Sequence, residues 1–113
     1  LNIELDFWEN IGKPVMFTEY GADTIEGIHG THGEMFSEEF QRDYYARINA
    51  EIDKRPWFIG EQLWNFADFA TFQGIIRVEG NRKGILTRDR QPKMATHWLR
   101  ERWAGIPDYG YKG

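Results

Sequence analysis

Glu19 closes a short apolar run, Val15-Met16-Phe17-Thr18, and is followed at once by Tyr20 and Gly21. The run lacks polar alternation, the pattern of a strand buried on both faces of a parallel sheet. Gly21 lets the chain turn directly into a loop. A carboxylate at the C-terminal mouth of such a strand stands where (β/α) barrels carry catalytic groups. A structural reading is equally open, in which Glu19 caps a loop or pairs with an arginine. Glu61 is a second carboxylate within a strand-like stretch, and a buried hydrogen-bonding role suits it better than a catalytic one. His29 and His32, with Glu34 nearby, could be read as a metal site. No helix fixes their spacing, so they read as solvated loop histidines.

Composition narrows the classes of function. The 113 residues suffice for one ordinary domain. A net charge of −4 without any Lys/Arg cluster argues against nucleic acid as a partner. No apolar run is long enough to span a membrane, so no membrane partner is expected. With no cysteine, disulfides and thiolate metal sites are excluded. No Asn-x-Ser/Thr sequon is present either.

The elements that must position Glu19 follow from spacing. Leu1, Leu5 and Trp8, and Ile3, Phe7 and Ile11, fall at helical intervals, and Gly12 with Lys13-Pro14 ends that helix. The strand Val15–Thr18 follows. Residues 20–36 form a long connection containing Gly21, Gly27, Gly30 and Gly33. Ser37 reads as an N-cap with Glu38 and Glu39 in the first turn. Phe40, Tyr44, Ile48 and Ile52 give that helix one apolar stripe, and Lys54, Arg55 and Pro56 end it. Trp57–Leu63 is a second strand, Ile75–Val78 and Ile85–Thr87 suggest a small hairpin, and Pro92 opens a final helix with Met94, Ala95, Trp98, Leu99 and Trp103 on its apolar side. This strand–helix order is α/β with a parallel sheet. Two strands close no sheet, and a (β/α) barrel needs eight strands and about 250 residues. The chain is therefore expected to be the C-terminal portion of a (β/α)8 TIM barrel, incomplete on its own. A doubly wound sheet is the runner-up, but its glycine fingerprint is absent.

Four stretches carry a family resemblance: Thr18-Glu19-Tyr20-Gly21-Ala22-Asp23-Thr24, Gly60-Glu61-Gln62-Leu63-Trp64-Asn65-Phe66-Ala67-Asp68-Phe69, Gly80-Asn81-Arg82-Lys83-Gly84 and Thr87-Arg88-Asp89-Arg90-Gln91-Pro92-Lys93. In this order they resemble the C-terminal catalytic part of the β-glucuronidases of glycoside hydrolase family 2. The resemblance implies that residues 1–113 are the C-terminal segment of that barrel domain, with strands seven and eight. It implies retaining hydrolysis of β-D-glucuronides, with Glu19 matching the nucleophile. Trp64 matches a tryptophan that walls the sugar pocket. Asn81 and Lys83 match an Asn-x-Lys pair that binds the sugar carboxylate, and Arg77 matches an arginine beside it. The family's acid/base is the Glu of an Asn-Glu pair after strand four, and no such pair able to fill that role occurs in this sequence. This segment alone is thus expected to be inactive. The resemblance implies no cofactor and no metal. It implies three associations: a glucuronide substrate, the remaining N-terminal part of the same enzyme, and a homo-oligomer, a tetramer. The bacterial cytoplasm is the expected compartment, with lysosomal and secreted forms as alternatives.

The chemistry agrees with the resemblance. Retaining hydrolysis uses two carboxyl groups about 5–5.5 Å apart, one attacking the anomeric carbon and one protonating the leaving oxygen. A uronic acid carries a charge, and a cation with a neutral donor satisfies its carboxylate. Lys83 and Asn81 on a tight turn supply both. Without the resemblance they read as an ordinary Gly-Asn turn with a solvated lysine, and Trp64 reads equally well as core packing. Two alternatives stand beside the glucuronidase reading. One is a family relative acting on a neutral or other uronic sugar. The other is a non-catalytic carbohydrate-binding fragment.

Overall fold

A computed structural model describes residues 1–31, 33–75 and 80–107. The order is α1 (Asn2–Ile11), β1 (Val15–Phe17), α2 (Glu38–Ile52), β2 (Phe58–Glu61) and α3 (Met94–Ala104). Gly12, at φ 68°, ends α1 in the left-handed region. Ser37 caps α2 as its sequence predicts, its Oγ accepting from Phe40 N at 3.1 Å. Pro92 lies just before α3, where it bridges Leu86, and Lys93 takes the N-cap position.

β1 and β2 pair in parallel, with Val15 opposite Phe58 and Phe17 opposite Glu61, and α2 is the crossover between them. The strands are shorter than the apolar runs that predict them. Their apolar faces stay largely open: Met16 is 42% exposed and Ile59 is 66% exposed. A parallel pair normally has both faces covered. On α1 only Leu5 is buried, while Ile3, Phe7, Trp8 and Ile11 face outward.

The core lies on the other side, where α2 packs on α3. Tyr20, Tyr45, Ile85, Ala95 and Leu99 are buried together, with Phe17, Tyr44 and Leu63 against them. Tyr45 meets Tyr20 edge to face at 5.2 Å, and Phe17 meets Tyr20 at 5.3 Å. Such pairs contribute ~0.5–1.5 kcal/mol each beyond their buried area.

The buried face of α2 is not the stripe that its large apolar residues predict. Its fully buried positions are Gln41, Tyr45, Asn49 and Ile52, whereas Phe40, Tyr44 and Ile48 are half-buried and line an apolar groove beside Arg47. The helix is turned by one residue because two amides, Gln41 and Asn49, answer polar groups of the neighbouring loops and strand. The expected strand Ile75–Val78 falls mainly outside the described residues. Among the described residues its partner stretch meets Ala67 and Pro92 through Leu86.

Candidate active site

The loops that leave β1 and β2 run side by side at the C-terminal end of the strands. Gln62 N donates to Phe17 O at 2.8 Å and Trp64 N donates to Tyr20 O at 2.8 Å. One residue further on, Asn65 N donates to Lys83 O at 3.0 Å and Asn65 O accepts from Ile85 N at 3.1 Å. Three segments distant in sequence are thus sewn together, carrying Glu19, Trp64 and Lys83. Gly21 is required by this closeness, since a Cβ there would stand 1.9 Å from Trp64 O.

Glu19 follows the end of β1 and is exposed. Among the described residues its carboxylate has no hydrogen-bond or ion-pair partner, so neither a capping role nor an arginine pairing occupies it there. Trp64 is 39% exposed and meets Phe69 edge-on at 6.2 Å, which leaves part of the indole open. The Trp64–Asn65 peptide is cis.

Asn81 and Lys83 behave differently from each other. Asn81 is buried, and its Oδ1 accepts from Lys83 N at 3.0 Å, which leaves the amide NH2 as its donor end. Lys83 is half-buried, its Nζ 4.0 Å from Asp23 Oδ2. The intervening Arg82 reaches Glu26 Oε2 at 3.4 Å and Asp68 Oδ2 at 3.6 Å. Arg77 lies outside the described residues, as does His32.

Beneath the turn stands a buried ion pair. Lys93 Nζ donates to Asp68 Oδ1 at 2.9 Å, to Thr24 O at 2.9 Å and to Arg82 O at 3.3 Å. Asp68 Oδ1 also accepts from Gly84 N at 3.0 Å. Burial presses the Lys93 ammonium below the usual lysine range, and the Asp68 charge opposes that shift.

Glu61 is held on both oxygens, as a structural carboxylate is. Its Oε1 accepts from Arg102 Nε and Trp103 Nε1, both at 2.9 Å, and its Oε2 from Arg102 Nη2 at 3.0 Å and Asn49 Nδ2 at 3.2 Å. Arg102 continues to Asp53 in a bidentate pair and holds that carboxyl below the usual aspartate range. Asn49 also donates to the Tyr20 hydroxyl at 3.1 Å, and burial pushes the Tyr20 phenol well above the usual tyrosine value. Tyr20 therefore stays a protonated phenol.

His29 is exposed but paired, with Nδ1 2.8 Å from Glu39 Oε1. That contact raises its pKa, and the Gly30 N–H, with His29 second, brings the Glu39 carboxyl down to about 2. Among the described residues no cluster of three or more His, Asp or Glu side chains is placed to hold a metal ion, and no helix is long and apolar enough to cross a membrane.

The sequence over residues 1–107 matches the family described as "Glycosyl hydrolases family 2, TIM barrel domain". The chain belongs to glycoside hydrolase family 2. Curated relatives in the family include the beta-glucuronidases of Paenibacillus borealis, 50% identical over 110 residues, and Streptococcus agalactiae, 48% identical over 100 residues. These alignments cover 96% and 88% of this chain but 18% and 17% of the relatives. Among solved structures, the Bifidobacterium dentium beta-glucuronidase complexed with coumarin-3-O-glucuronide superposes with a TM-score of 0.91 at 99% identity, over 98% of this chain and 18% of that one. The Faecalibacterium prausnitzii beta-glucuronidase superposes with a TM-score of 0.91 at 61% identity, over 97% of this chain and 18% of that one. The chain thus spans less than a fifth of the relatives' length, and within the family it is a part of the barrel domain. The open apolar faces of α1, β1 and β2 suit a part whose neighbours complete the barrel wall.

Sequence reasoning passed over Gln41, Asn49, Asp68 and Lys93 as functional positions. Gln41, Tyr45 and Asn49 do recur every four residues, so a second stripe was visible in the spacing. Lys93 stood out only as the last residue of a family-like stretch, and its burial had no signal because a lysine ordinarily stays in solvent.

Proposed function

We propose that this chain is the nucleophile-bearing segment of a retaining β-D-glucuronidase, strands seven and eight of its barrel, with Glu19 attacking the anomeric carbon. The carrying observation is the set of backbone hydrogen bonds that joins the loops of Glu19, Trp64 and Lys83 at one strand end, where barrel enzymes keep their chemistry. Glu19 is accessible and, among the described residues, unpaired, so its oxygens are open to a substrate. The competing carboxylate, Glu61, has both oxygens engaged with Arg102. Trp64 supplies an apolar wall for the pyranose ring. Lys83 supplies a cation and Asn81 an amide donor for the sugar carboxylate, and Arg77 joins them. The relatives' printed names point to the same substrate class.

In the reaction, Glu19 forms an ester with the sugar while a carboxylic acid from another segment protonates the leaving oxygen. That group then acts as base, and water cleaves the ester with net retention. The full-length protein releases D-glucuronate from an aglycone and works as a homo-oligomer in the bacterial cytoplasm. The deciding experiment treats full-length enzyme with a 2-fluoro glucuronide that traps the ester, then maps the label by mass spectrometry. Labelling of Glu19 is expected. A label on Glu61 or any other carboxylate would overturn the assignment, and a protein that cleaves glucosides but not glucuronides would overturn the substrate class.

A further inference from the structure

The turn from Asn81 to Gly84 has no idle backbone group. Asn81 exchanges both its backbone bonds with Phe69, at 2.8 and 3.2 Å. Arg82 N donates to Asp23 Oδ1 at 3.3 Å, and Arg82 O accepts from Thr24 N at 2.8 Å and from Lys93 Nζ at 3.3 Å. Lys83 N donates to Asn81 Oδ1 and Lys83 O accepts from Asn65 N. Gly84 N donates to Asp68 Oδ1, and Gly84 O accepts from Gln41 Nε2 at 3.0 Å. Short turns usually leave several such groups to water, so this one is fixed in position.

Two of the partners reach in from helix ends and faces far away in sequence. Gln41 Nε2 also donates to Ala22 O at 3.1 Å. One amide therefore sets the spacing between the loop that follows Glu19 and the turn that carries Lys83. Lys93 joins the same loop, through Thr24 O, to the turn and to Asp68 of the β2 loop. Gln41 is 0% exposed and Lys93 1% exposed. The Gln41 Oε1 has no hydrogen-bond partner among the described residues, which carries a desolvation cost. An apolar side chain of similar size would avoid that cost but leave the Ala22 and Gly84 carbonyls without this donor, so the amide is there for the two bonds and not for packing.

We propose that Gln41 and Lys93 are specificity-positioning residues, a buried polar brace that sets where Asn81 and Lys83 stand relative to Glu19. Through that distance they set the preference for a sugar bearing a carboxylate over one bearing a hydroxymethyl group. The inference rests on the preceding reading that positions 81 and 83 meet the substrate carboxylate, and neither brace residue touches the sugar.

The test uses full-length enzyme and two nitrophenyl substrates, a β-glucuronide and a β-glucoside. The ratio of their kcat/KM values does not depend on how much of the sample is folded, so a merely structural role leaves it unmoved. Gln41→Met keeps the volume and removes both donors. Lys93→Arg keeps the charge and changes its reach and geometry. A misplacement of about 1 Å can lower rates up to ~100-fold, and both variants are expected to lower the ratio at least about tenfold. The loss should appear as a raised KM for the glucuronide with the glucoside KM steady. A variant that fails to fold is replaced by Gln41→Asn, whose amide is too short to span both carbonyls. An unchanged ratio in the folded variants overturns the brace. The premise is read separately in Lys83→Ala: a ratio that falls there but not in the brace variants overturns the brace alone, whereas a ratio unchanged in all three overturns the reading of position 83 and the brace with it.

Discussion

Lys83→Ala measures how much of the proposed selectivity resides in one ammonium group. In the free site that group lies 4.0 Å from Asp23 Oδ2, with the two side chains 29% and 33% exposed. A bound glucuronide would give it a second anionic partner. Hydrogen bonds to charged groups are worth ~1.5–3 kcal/mol each, which at about 1.36 kcal/mol per decade corresponds to one to two decades of kcat/KM. Removing the ammonium also takes away one cation near both the Asp23 and the substrate carboxylates, which adds to the loss with the same sign. Partial exposure screens that effect, so the expectation stays near the upper end of the range and not beyond it. A glucoside makes no ion pair, and its slow cleavage should change little. The glucuronide-to-glucoside ratio should therefore fall about ten- to a hundredfold, read from kcat/KM on both nitrophenyl substrates. Asn81→Asp is the companion. Its Oδ1 can go on accepting from Lys83 N, so the turn holds, but the donor end becomes an anion and the ratio should collapse further than in Asn81→Ala. An unchanged ratio in Lys83→Ala would mean that Lys83 is a solvated turn lysine and that another group, such as Arg77, reads the acid.

Further expectations concern the wall, the ion pair and the loop. Trp64→Ala should lower kcat/KM on both sugars by a similar factor, since it removes ring packing and not charge recognition; a shift in selectivity would contradict that role. Lys93→Met should destabilise by about 3–5 kcal/mol, because Asp68 is left buried without its ammonium, their side chains being 3% and 0% exposed. The double variant Lys93→Met/Asp68→Asn should recover part of that loss in thermal unfolding, and a double no more stable than the single would show that the pair is uncoupled. The loop contact of His29 and Glu39 has a pH window. The depressed Glu39 carboxyl contributes above its ordinary value of 4.5 and fades as pH falls toward about 2. The raised His29 contributes below its ordinary value of 6.5 and fades as pH rises through its folded pKa. Amide exchange of residues 25–36, corrected for its intrinsic pH dependence, should thus be slowest between those ordinary values. Glu39→Gln should flatten the profile, and a profile the mutation leaves intact would remove the contact from the account.

Much of this architecture was legible because caps and breakers act locally. Ser37 and Gly12 do at their helix ends what their residue types dictate, and the apolar runs mark β1 and β2 in the right places. The face of α2 was not legible from large apolar residues. Phe40, Tyr44 and Ile48 dominate any hydrophobic count, yet the loop carbonyls need donors, and Gln41 and Asn49 turn inward to supply them. The core burial of Lys93 depends on three acceptors from segments 11 to 69 residues away, and a linear pattern cannot register such a meeting. Glu19 stood out at the end of its apolar run, Trp64 and Lys83 through a resemblance, and the joining of their three loops needed the backbone bonds through Tyr20 and Asn65.

The fully occupied backbone of residues 81–84 also governs how this site can be redesigned. Its hydrogen bonds are made by main-chain atoms, so the side chain at position 83 can be exchanged without breaking them. An inserted or deleted residue would put every bond out of register at once. Combinatorial libraries that seek a new sugar should therefore randomise position 83 and hold the turn's length, Asn81 and Gly84 constant, since Asn81 Oδ1 holds Lys83 N and a Cβ at Gly84 would stand 2.3 Å from Asp68 N. Within that limit, the turn is an exchangeable reading head on a fixed mount.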